Sequence, residues 1–317
     1  MLYLQRMYSK VIFLKIFIIV SMLSCNKPQA KLVAIQSLPG YPSGSGLAYH
    51  NGHIYLMGDD AAQLLVTDTL FNVTDSIGVF ESAEKRMAKD KKTDVEAIAL
   101  INRNSTPLLL MPGSGSLSPQ RDSCITVDLL TKEKKHYSLA VFYSRLRAAG
   151  IRDLNIEGAT SLPFGMALVS RGNKGFPRNT LILTTDRFLE NQETADFKLI
   201  KTGANSDTST FTGISGMDYS HRTDQLLLTV STEDTQNSYD DGAIGKSYLW
   251  IIDNISLKKE LEGINPDKII DLEEMDPRFK GQKIESVCIV AEDKNKREVI
   301  LTADDDKGGT VLFRVLL

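Results

Sequence analysis

The segment Asn155–Thr160 reads "NIEGAT", a glutamate set between an isoleucine and a glycine at the head of a short apolar run. The same arrangement returns as "DVEAIAL" (Asp94–Leu100), "GISGMDY" (Gly213–Tyr219) and "KIESVCIV" (Lys283–Val290). A recurrence of about 50 to 70 residues is the signature of a repeat architecture. Within each unit four short β-branched or aromatic-rich runs alternate with turn residues, as strands do. The third unit shows the pattern: "EGATSL", "MALVSRG", "TLILTTD" and "DFKLIKTG".

Five such units fit the chain, and the last supplies three runs only: "IESVCIV", "EVILTADDD" and "TVLFRVLL". The missing strand is available at the other end. "KLVAIQSL", Lys31–Leu38, precedes the first unit without a partner of its own. Pairing it with the final strand closes a ring and removes the open sheet edge. The sequence therefore predicts an all-β, five-bladed β-propeller over residues 31–317, with one helix at Phe142–Gly150, "FYSRLRAAG". The alternative is six blades, with a degenerate one in Leu257–Gln282.

The residues ahead of the ring read differently. Arg6 and Lys10 precede an apolar run, Val11–Leu23, that ends in "MLSC". This is the pattern of a secretory signal over residues 1–24. Its ending resembles a bacterial lipobox, which implies a palmitate-bearing anchor at Cys25, a spacer over 25–30 and a place in the cell envelope, at the outer membrane. An ordinary signal peptide is the alternative. Cys124 and Cys288 sit in apolar runs of different units and read as buried free thiols. A formal charge of −3 argues against nucleic-acid binding. A monomer is expected.

In a propeller the first strand of each blade lines the central channel. Ser45, Glu96, Glu157, Ser215 and Glu285 hold equivalent places at the heads of these strands. Three carboxylates facing one narrow channel must be protonated, solvated or neutralised by a cation. A set of carboxylates and hydroxyls, without histidine or thiolate, suits Ca²⁺. A water-filled polar channel is the other reading.

The order Ser, Glu, Glu, Ser, Glu resembles that of the calcium-activated nucleotidases, or apyrases. So do "LAYHNGHIYLMGDD", "YSRLRAAGI", "TDQLLLTVSTED" and "KIESVCIV". The chain also looks like propeller lipoproteins of Gram-negative bacteria. The apyrase resemblance implies a five-bladed fold, calcium at the five ring residues and hydrolysis of nucleoside di- or triphosphates; a small phosphorylated ligand of another kind, such as a different phosphate ester, is the wider expectation. Asp59 and Asp60 of "GDD" match a paired aspartate of that family and would orient the attacking water. Arg171 and Lys174, in the loop after the third blade's second strand, would neutralise phosphate charge.

The rim of that face carries further acids (Glu233, Asp234, Asp304, Asp305) and bases (Arg121, Arg178, Lys246). Two departures count against nucleotides. "PGSGSLSP" stands where the apyrases carry a lysine and a tryptophan, and the sole tryptophan, Trp250, falls within a strand. Three functions therefore stay open: a calcium-dependent phosphohydrolase, a non-catalytic binding module with structural calcium, and a phytase- or lactonase-like hydrolase on six blades.

Overall fold

The structure, a computed structural model, describes residues 30–82, 84–203, 211–233, 237, 244–294, 296–304 and 309–317. The leader, Cys25, Asp234 and Asp305 lie outside these residues, as does the side chain of Glu233.

Five antiparallel sheets form the ring. Blade one is β2 (Gly44–His50), β3 (His53–Gly58), β4 (Gln63–Asp68) and β5 (Val73–Gly78). Blade two is β6 (Ala99–Arg103), β7 (Thr106–Pro112), β8 (Ser123–Asp128) and β9 (Lys134–Ser138). Blade three is β10 (Ile156–Leu162), β11 (Gly165–Ser170), β12 (Asn179–Thr184) and β13 (Phe197–Thr202). Blade four is β14 (Thr212–Ser220), β15 (Gln225–Glu233), β16 (Ile244–Ile252) and β18 (Lys268–Asp271). Blade five joins β19 (Lys283–Glu292), β20 (Arg297–Asp304) and β21 (Thr310–Leu316) to β1 (Lys31–Leu38). The closure is antiparallel and runs from Lys31 opposite Leu316 to Leu38 opposite Thr310.

Leu257–Gln282 builds no sixth blade. It supplies β17 (Gly263–Ile264), which pairs in parallel with β13 as a fifth strand of blade three, and then β18. Short helices α2 (Ile255–Lys258) and α3 (Leu272–Met275) and a 3₁₀ turn (Pro277–Phe279) complete the segment. The parallel strand had no signal in sequence, because two residues carry no periodicity.

Each blade is apolar on both faces because both faces pack on neighbouring blades. Leu168 and Ile182 face blade two's Leu110 and Cys124, whereas Val169 and Leu181 face blade four's Ile214 and Leu228. The two thiols are buried and free. Trp250 is buried between blades three and four. The expected helix is α1, Ala140–Ala148, two residues earlier than its apolar stretch suggested. It buries Phe142, Tyr143 and Leu146, and its last turn carries Arg145 and Arg147, where cations favour the helix dipole. The Tyr143 hydroxyl donates to the Gly113 carbonyl at 2.7 Å, which fixes the helix over the loop of blade two.

Candidate functional site

Side chains of a radial sheet point sideways into the neighbouring blades, so a regular inner strand offers the channel mainly its backbone edge. A β-bulge adds a residue without a partner and re-aims it. Pairing of the innermost two strands shifts between Gly44 and Gly46, Ile156 and Gly158, Ile214 and Gly216, and Ile284 and Ser286. The skipped residues are Ser45, Glu157, Ser215 and Glu285. Glu96 follows the isolated bridge of Val95 to Gly113, just before β6 begins. All five ring residues thus hold one irregular position, repeated around the fold.

The following residue is small in every blade: Gly46, Ala97, Gly158, Gly216 and Ser286. Packing at the axis demands it. A Cβ on Gly216 would lie 2.6 Å from the Glu285 carbonyl oxygen and 2.7 Å from Ser286 Cα.

The residue two before each ring position proves equally important, and sequence reasoning passed over it. Asn155 Nδ2 donates to Glu157 Oε1 at 2.6 Å, and Lys283 Nζ lies 3.0 Å from Glu285 Oε1. Ser45 Oγ donates to the Ser43 carbonyl at 2.8 Å. In blade four the position is Gly213, and its missing side chain leaves room for Arg171, whose Nε would sit 2.3 Å from a Cβ there. Arg171 Nη1 reaches Glu157 Oε2 at 3.6 Å, and Nη2 donates to Ser231 Oγ at 3.2 Å. Ser215 Oγ donates to the Ile284 carbonyl at 2.6 Å and so ties blade four to blade five. The two-residue offset is visible in the chain as Ser43-x-Ser45, Asp94-x-Glu96, Asn155-x-Glu157 and Lys283-x-Glu285.

Beside Glu96 the charges are densest. Asp59, Asp94 and Glu96 each bring a carboxylate oxygen within 4.8 Å of the others. Lys92 enters this group, pairing with Asp59 and, at 2.7 Å, with Asp94. Burial opposes the charge on Lys92, but Asp59, Asp94 and Glu96 outweigh it and hold the ammonium protonated. Asp94 also binds the guanidinium of Arg121 and accepts from Ser114 Oγ at 2.6 Å. Burial works against ionised Asp94, yet Lys92 and Arg121 hold its carboxyl below the usual range. Glu96 goes the other way. Burial first, then the charges of Asp59, Asp94 and Glu157, push its carboxyl well above the ordinary value.

Several residues expected on an open rim lie deeper. Arg121 is only 2% exposed, and Arg171 is buried against Glu157. Asp59 belongs to the charged group below the rim, and burial raises its carboxyl despite Lys92. Asp60 is buried and pairs with Arg86 at 2.6 Å. Lys174 and Arg178 stay in the loop between β11 and β12. Lys246, on β16, pairs with Asp271 at 2.8 Å. Asp304 ends β20 near Arg86.

The fold and this mouth define a class: a five-bladed β-propeller whose channel opens on a mixed ring of carboxylates, hydroxyls and basic side chains. The chain belongs to a family of unknown function (DUF6929), matched over residues 40–317. No curated protein matches it. Among solved structures it is similar to glutaminyl cyclase of Myxococcus xanthus, at 8% identity and a TM-score of 0.49, covering 91% of this chain and 97% of that one. It is also similar to a catalytically inactive virginiamycin B lyase from Staphylococcus aureus bound to quinupristin. That match has 10% identity and a TM-score of 0.44, and covers 90% and 99% of the two chains. Such distant likenesses carry no argument about activity.

Proposed function

We propose that the protein is an envelope lipoprotein whose channel mouth holds one calcium ion as a bolt between blades, in a module that binds a small ligand. The ligands to the ion would be Glu96, Glu157 and Glu285, with the hydroxyls of Ser45 and Ser215. Among the described residues the carboxylates that converge within 4.8 Å are instead Asp59, Asp94 and Glu96, so binding would draw Glu157 and Glu285 away from Arg171 and Lys283. One observation carries this reading. Glu285 Oε2 is buried and accepts no hydrogen bond among the described residues, although its partner oxygen is paired with Lys283. An orphaned carboxylate oxygen is costly, and a hard cation satisfies it. Asp59 Oδ1 likewise has no hydrogen-bond partner among the described residues. When bound, the ion would supply positive charge to a ring in which Glu96 otherwise favours its proton.

A calcium-dependent phosphohydrolase is the second reading, and Asp59 favours it. A carboxyl raised by burial, with a free oxygen beside the ring, is placed to take a proton from water. The bases weigh against it. Arg171 is engaged by Glu157, Arg86 by Asp60, Lys92 by Asp59 and Asp94, and Arg121 by Asp94. The binding module therefore ranks first, and the five-blade ring leaves no place for the six-bladed phytase- or lactonase-like alternative. Phosphate release from nucleoside di- and triphosphates, with calcium and with chelator, separates the two readings. The binding module predicts no calcium-dependent release. Turnover that requires calcium and is lost in Asp59→Asn would make the enzyme the right reading.

The anchor is tested separately. Cys25→Ala is expected to move the protein from the membrane to the soluble fraction. Unchanged fractionation, with no lipid on the chain by mass spectrometry, would remove the lipoprotein assignment.

A further inference from the structure

The other end of the channel is chemically distinct. The inner strands run on from the ring and end around a cavity of about 230 Å³ to which all five contribute. Its wall includes Tyr49 of β2, Leu100 of β6, Thr160 of β10, Asp218 and Tyr219 of β14, and Glu292 of β19. We propose that this cavity is a second binding site, one that takes a small organic ammonium ion.

The charge balance points to a cation. Asp94, Glu157 and Glu285 each have a basic side chain within 3.6 Å. Asp218 has none among the described residues. Its carboxylate accepts only neutral donors: Thr160 Oγ1 at 3.3 Å and the backbone N–H groups of Tyr219 and Ile289 at 2.8 Å each. Nearby Glu292 adds a like charge, although its own Oε2 is shared between Ser220 Oγ at 2.6 Å and Arg297 at 3.2 Å. A half-buried carboxylate without a counter-ion is unfavourable, and a ligand that brings the charge relieves it. Burial accordingly pushes the Asp218 carboxyl up to about 6.

The remaining wall selects the kind of cation. Leu47, Ile98, Leu100 and Ile289 are apolar, and a metal ion needing about six oxygens would not find them there. Tyr49 and Tyr219 offer aromatic rings, the second braced edge-on by His221 at 4.8 Å between centroids. Carboxylate beside aromatic and aliphatic surface is the setting in which alkylated ammonium groups bind. The volume falls below the roughly 300 Å³ of the smallest drug-sized pockets, so the ligand is small.

The test uses the full-length protein with tetramethylammonium and ethanolammonium, the uncharged neopentyl alcohol and calcium as probes. Carbon-13 NMR of the Asp218 carboxyl should show titration near pH 6 in the free protein. Either ammonium probe should move that titration to lower pH, since a bound cation favours the ionised form, while the alcohol leaves it in place. By calorimetry Asp218→Asn should weaken ammonium binding by about tenfold or more. Glu157→Gln, at the opposite mouth, should leave it unchanged, which separates this site from the calcium ring. If Asp218→Asn does not fold, the wild-type titration still decides. An Asp218 resonance indifferent to both ammonium ions, equal binding of the neutral alcohol, or a shift produced by calcium in their place would overturn the proposal.

Discussion

A chain that begins at Pro39, and so lacks β1, is expected to fold with markedly lower stability. β1 itself buries little: Val33 is 52% exposed and Ile35 36%. Its contribution is closure. It pairs along the whole of β21 and covers an edge that would otherwise present free N–H and C=O groups. Starting at Pro39 keeps Tyr41, whose hydroxyl donates to the carbonyls of Leu56 and Gln63 at 2.8 Å. Any loss is then that of the closing strand alone. A deficit of about 5 kcal/mol would lower the melting temperature by roughly 8 °C in a domain of this size. The exposed edge of "TVLFRVL" should also drive association, visible by light scattering. A truncated chain that melts like the intact one would contradict ring closure as a source of stability.

Arg121→Met should be the most damaging single substitution in the charged group. Arg121 is buried with Asp94, and Nη1 also donates to Ser116 Oγ at 2.6 Å. Removing Arg121 leaves Asp94 with Lys92 as its one remaining cation among the described residues, and losing a partner from a buried pair costs up to about 3 to 5 kcal/mol. The pH dependence follows from Asp94. Its carboxyl is depressed in the folded state. The wild-type advantage should therefore be complete above the unfolded value of about 4 and shrink as pH falls through the lower folded value. Urea unfolding at neutral and acidic pH measures it. The double substitution Arg121→Met with Asp94→Asn should recover part of the loss, because the under-compensated carboxylate is gone. A deficit that does not depend on pH and is unaffected by Asp94→Asn would assign Arg121 a packing role only.

These two cases mark what the chain discloses before folding. The blades were legible because turn residues and β-branched runs alternate, and closure because one run at each end lacked a partner. The ring was legible because an acid or hydroxyl recurs at each strand head. Arg121 was not. In "SGSLSPQRD" it reads as one base in a polar loop, and only the fold brings it beneath the surface to Asp94. Lys92 was hidden in the run "KDKK" for the same reason, since a charge run normally marks a solvated face. Asn155 and Lys283 could have been found. Residues two apart on a strand share a side, and their offset from the ring repeats in sequence.

Calorimetric titration of the full-length protein with calcium tests the ring directly. One site per chain is expected, with binding weakened by about tenfold or more in Glu157→Gln and in Glu285→Gln. Binding should be abolished when Glu96, Glu157 and Glu285 are all replaced. Asp218→Asn, at the far mouth, should bind calcium as the wild type does. No heat of calcium binding at about millimolar concentration, in a protein shown to be folded, would rule out the calcium bolt and leave the mouth a ring of side chains that neutralise one another.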